Sequence, residues 1–265
     1  ATSDTDGSAA TVSRPAVGGI ERWTGLKINY SVSALIDETF ALRASSGVLS
    51  TADSAMITAV VPNGDARLTA AAGVTEPVAL DSTIDTLAEA IGVLDFTLVD
   101  GGGDDGLGVR VSTLNIQVGG TSSDTLRGQV TWILNGPGVA GVVGTFDAAN
   151  DLIAFTGLGI DVASAGSATY TLSAFYNDNT ALTEGKTFDL SITGNTDLTF
   201  LGTTVGSSTA VTGTTSVDVV ATKLAFTTMP AGTTAGAAFS TQPVVSAVDE
   251  FGNVDADFTE TVTLS

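Results

Sequence analysis

Oxygen donors grouped around glycine are the clearest chemical signal in this chain. Asp100, Asp104 and Asp105 lie in "VDGGGDDGLG", where Gly101 to Gly103 and Gly106 let the backbone curl until carboxylates and carbonyls converge on a hard cation. A second group, Asp249, Asn253, Asp255 and Asp257, repeats such donors along "DEFGNVDAD". A third, weaker group is Asn177, Asp178, Asn179 and Glu184. The first spacing is not that of an EF-hand, but the donor chemistry suits Ca2+. Asp, Asn and Gly also favour turns through local hydrogen bonds and left-handed backbone. Each group therefore has two readings, a calcium site or a solvated turn.

Other chemistries find little support. The chain has no His and no Cys, which removes the commonest general base, the thiolate ligand and the thiol nucleophile together. A serine nucleophile would need Lys as its base, and Lys27, Lys186 and Lys223 form no Ser-x-x-Lys motif. Adjacent acids such as Asp37-Glu38 and Asp104-Asp105 do not make a glycosidase pair, which must face each other across a cleft. The expectation is that the chain is not an enzyme. With 29 acidic residues against 9 basic, its net charge of -20 repels phosphate backbones and anionic lipid, so nucleic-acid partners are not expected. No stretch approaches the roughly twenty apolar residues of a membrane helix, so membrane insertion is not expected either. The start shows no initiator Met, basic n-region or apolar h-region, which implies a sequence that begins after signal cleavage or inside a longer chain.

Strands must position any such site. "LKINYSVSAL", "ETFALRASS", "VRVSTLNIQVGG", "GQVTWILNG", "ATYTLSAFYNDN", "KTFDLSITG" and "ETVTLS" alternate apolar with polar residues and are rich in Val, Ile, Thr and aromatics. Gly, Asn and Asp clusters separate them at sandwich-like spacing, which predicts an all-β fold. Only "STIDTLAEAIGV" has a helical look, with Ser82 or Asp81 as its cap, and the alternative is a strand running on through "AIGVLDFTLVD". Trp132 is expected in a sandwich core, whereas Trp23 is open between core and surface roles. The alternation lapses into small residues around "AAAGVTEPVALD" and "VTGTTSVDVVATK". These lapses divide the chain into 1–72, a central β-sandwich at 73–219, and 220–265.

The last segment, with Phe226, Pro230, Gln242-Pro243, Asp249 and Phe251-Gly252-Asn253, resembles the opening half of filamin-like or bacterial Ig-like repeats of very large surface proteins. "GLKINYSVSALIDETFALRASSGVLSTADSAMITA" resembles the closing half, and the central segment resembles a second β-rich module found in tandem arrays. The resemblance implies tandem Ig-like sandwiches in which the terminal halves complete one sandwich with a neighbouring unit. An opening half alone would expose an apolar face and unpaired edges. The resemblance further implies a secreted bacterial protein, extracellular or on the cell surface. Its implied role is a structural repeat unit or subunit of a filament, sheath, surface layer or giant adhesin stalk. The implied partner is the protein itself, as a head-to-tail homopolymer or as adjacent repeats. The alternative is a carbohydrate- or host-surface-binding adhesin module, with Trp23, Tyr30 or Tyr176 stacking on sugar rings.

Overall fold

The computed structural model describes residues 2–3, 13–24, 27–28, 38–59, 65–101, 107–201 and 205–265. The chain divides into two units, Ala1–Val61 and Pro62–Ser265. The first contains β1 (Thr2–Ser3), β2 (Lys27–Ile28), β3 (Glu38–Phe40), β4 (Arg43–Ser46), β5 (Leu49–Asp53) and β6 (Ile57–Ala59). They pair antiparallel as β1 with β2, β3 with β6 and β4 with β5. No residue whose burial is described in this unit is buried, and Val48 and Leu49 stand open to solvent. Arg43 Nε and Nη2 donate to both oxygens of Asp53 across β4 and β5, an exposed pair that contributes little.

In chain order the second unit begins with β7 (Ala66–Ala70), β8 (Val78–Asp81), β9 (Ile91–Asp100), β10 (Val109–Gly119), β11 (Val130–Gly136), β12 (Val139–Val143) and β13 (Thr145–Asp147). It continues with β14 (Leu152–Val162), β15 (Ser167–Tyr176), β16 (Thr187–Ile192), β17 (Leu198–Phe200), β18 (Val205–Ser208), β19 (Val211–Asp218), β20 (Lys223–Thr228) and β21 (Val244–Val248). One sheet runs β13-β14-β10-β16-β19-β8 with β17 also on β10, and the other runs β12-β11-β15-β9-β7-β18. Pairing within both is antiparallel, except that β19 lies parallel to β8 and β18 parallel to β7. Buried side chains from both sheets form one continuous core. Strands β20 and β21 form a separate antiparallel ribbon within the same unit.

The architecture follows from period-two burial. In β15, Tyr170, Leu172, Ala174 and Tyr176 point inward and alternate with Thr171, Ser173 and the half-buried Phe175, and in β16 Phe188, Leu190 and Ile192 point inward between Asp189 and Ser191. Strand β14 changes phase: Ile153 and Phe155 are inward, then Leu158, Ile160 and Val162. Gly157 adopts φ 67 at that point, and the register to β10 shifts there, a bulge that keeps both halves facing the core. Trp132 is 1% exposed and meets Phe188 edge-on at 5.6 Å.

The structure departs from the sequence expectations at four places. The segment "STIDTLAEAIGV" is no helix: Glu89 accepts from Thr86 N and Thr86 Oγ1, closing a turn, and β9 then runs from Ile91 to Asp100, the alternative strand through "AIGVLDFTLVD". Two short helices form elsewhere, α1 (Asp124–Gly128), capped by Ser123, and α2 (Gly194–Asp197). The presumed connection "VTGTTSVD" is β19, because Val211, Gly213, Thr215 and Val217 alternate inward and small side chains suffice between two neighbouring strands. "ETVTLS" pairs with no strand among the described residues.

Thr215 Oγ1 is fully buried in β19 without a hydrogen-bond partner. Thr215→Val, which keeps the shape and removes the unpaired hydroxyl, is expected to stabilise the protein by on the order of 1–3 kcal/mol. Denaturant unfolding checks this, and a destabilised variant would mean that the hydroxyl has a partner in solution.

Candidate functional site

Parallel pairing of β8 and β19 sets their last residues side by side, with Asp81 opposite Asp218. Both strands thus end in a carboxylate at the same rim of the sandwich. The loop between β15 and β16 adds Glu184, and the loop after β21 adds Asp255 and Asp257. Ligating oxygens of Glu184, Asp218 and Asp257 all lie within 4.8 Å of one another.

Hydrogen bonds hold these acids in place from behind. Val219 N donates to Glu184 Oε2 at 2.6 Å, and Ala221 N donates to Asp255 Oδ2 at 3.1 Å. Ser82 ties the rim together, donating its N–H to Asp218 O and accepting from Val220 N at Oγ. The loop after β21 is fastened by Asn253 Nδ2 donating to Asn179 O, while Asn179 Nδ2 donates to Ser82 O. Asp255 Oδ1 is buried and has no hydrogen-bond partner. None of the ion pairs among the described residues involves these five acids.

The electrostatics express this crowding. Burial raises the Glu184 pKa, helped by the charges of Asp218, Asp257 and Asp255 and opposed by the Val219 N–H. Burial likewise raises Asp218, helped by the charge of Asp81 and a hydrogen bond with it. A hydrogen bond with Asp255 is the main cause raising Asp257, with desolvation and the Asp255 and Asp218 charges adding to it. Tyr176, whose hydroxyl donates to Leu80 O, is raised by burial first and then by Glu184, Asp218 and Asp81.

A carboxyl with a raised folded-state pKa makes the folded state bind more protons than the unfolded chain. The resulting stability is present below the ordinary carboxylate range and is lost as pH rises through the raised values. In chelator, stability contributed by this rim is therefore expected to fall from roughly pH 4 upward. Asp218→Asn should flatten that fall relative to the unsubstituted chain in pH-resolved thermal unfolding, and parallel curves would show that Asp218 does not carry it.

The other sequence-nominated residues are placed differently. Asp249 is 2% exposed; its Oδ1 accepts from Phe251 N and Asn253 N, and its Oδ2 from Asn253 Nδ2. Asp249 and Asn253 thus shape the loop that presents Asp255 and Asp257. Asp100 is buried at the end of β9, with Oδ2 accepting from Ala165 N at 2.6 Å. Asp104 and Asp105 lie outside the described residues. Asn177 Nδ2 donates to Thr131 Oγ1, and the Asp178 carboxylate accepts from Thr180 N and Oγ1. Glu184 and the pair Asp255 and Asp257, nominated in two separate groups, come together, and Asp81 and Asp218 join them without a sequence signal. Elsewhere, an open groove of about 550 Å³ over β10, β16 and β19 presents Glu76 and Asp189, each accepting from Thr214.

No family model and no curated protein matches the chain. Among solved structures it is similar to one described as "AvmM Catalyzes Macrocyclization in Alchivemycin A Biosynthesis", with a TM-score of 0.33 and 10% identity over 58% of this chain and 89% of that one. That neighbour is described as a catalyst, whereas the sequence led to the expectation of a structural repeat or filament subunit, an adhesin module and a chain that is not an enzyme; these expectations are not carried further. A likeness at this distance transfers no activity to the present chain. No helix among the described residues is long and apolar enough to cross a membrane.

Proposed function

We propose that this chain is a divalent-cation-binding β-sandwich protein, in which calcium held by Glu184, Asp218 and Asp257 fastens the loop after β21 to the rim of the sandwich. The observation that carries the reading is the approach of these three carboxylates to within 4.8 Å, from two loops and a strand end. Like charges so close disfavour one another, and a dication turns that repulsion into attraction. The donor set is oxygen only, which suits a hard cation, and ligands drawn from several segments suit the flexible coordination of Ca2+ better than the strict octahedron of Mg2+.

The setting proposed with such a site is extracellular or at the cell surface, where calcium-binding modules of modest affinity, with Kd about 10⁻⁴–10⁻³ M, are typical. The motif from Phe226 to Asn253, carried on the β20–β21 ribbon and its following loop, supports an Ig-like relationship for this part of the chain. Calorimetric titration with CaCl₂ near neutral pH is the test. The reading expects saturable binding of about one ion at this rim, lost in Glu184→Gln and in Asp218→Asn. Absence of saturable heat, or equal binding by both variants, would refute it.

A further inference from the structure

We draw no further inference here: the strongest candidate, the apolar face of the β20–β21 ribbon on which Leu224 and Phe226 stand opposite Ala247 and Val245, leaves Leu224 51% and Phe226 46% exposed, and nothing in the structure shows what covers it.

Discussion

Calcium at roughly a hundred times its dissociation constant is expected to stabilise the chain by about 2.7 kcal/mol. For a unit of this size that corresponds to a rise of about 5–10 °C in unfolding midpoint. The physical source is the acidic rim. Without an ion, Glu184, Asp218 and Asp257 are held close together; burial of Glu184 and Asp218 and the hydrogen bond of Asp257 with Asp255 raise their pKa values first, and neighbouring acidic charges add to the rise. A bound dication removes the repulsion, but only from the folded state, because the unfolded chain does not bring these residues together. Asp218→Asn should therefore reverse sign with conditions. In chelator near neutral pH it raises the midpoint by deleting one repelling charge. In calcium it falls below the unsubstituted chain, because a ligand is missing. A variant that merely damaged the fold would lower the midpoint in both solutions.

Trp132→Ala should be the most damaging single substitution of the two sheets' contact, with a loss of about 3–5 kcal/mol in denaturant unfolding. Trp132 is buried on β11 and stands edge-on to Phe188 on the facing sheet, so truncation leaves a void that rigid neighbouring strands cannot close. Trp132→Phe should lose much less. It refills most of the volume, and it removes an indole Nε1 that is buried without an acceptor, which offsets part of the lost packing. A loss below about 1 kcal/mol for Trp132→Ala would mean that the sheets do not pack through this residue. Phe188 also pairs in register with Thr215 of β19, the strand that ends at Asp218. The core substitution should nevertheless leave calcium affinity unchanged at temperatures where the variant is folded, which separates core packing from ion binding.

The strands were legible wherever large apolar residues alternate with polar ones, as in β10, β15 and β16. Strand β19 was not, because its inward positions include Gly213 and Thr215, which carry almost no hydrophobic signal, and it reads as a connection. Boundaries suffered for the same reason: β7 precedes residue 73, yet it pairs along β9 inside the sandwich. The rim was half legible. Asp255, Asp257 and Glu184 stand out as acids in turn-like segments, but their convergence depends on how the loop after β21 folds back. Asp218 carries no signal of a site, and Asp81 reads only as a helix cap. Each is a single acid at the end of a strand, and only the parallel pairing of β8 with β19 makes them neighbours. Asp249 and Asn253 carry the donor pattern of a ligand loop, while the fold uses both to satisfy that loop's own hydrogen bonds.

The most direct test is anomalous diffraction from crystals of the full chain grown in calcium. An anomalous peak enclosed by the carboxylates of Glu184, Asp218 and Asp257 is expected, and it should be lost from crystals of Asp218→Asn. Well-ordered carboxylates at this rim with no peak between them, in crystals whose mother liquor saturates any site of extracellular affinity, would contradict calcium binding here.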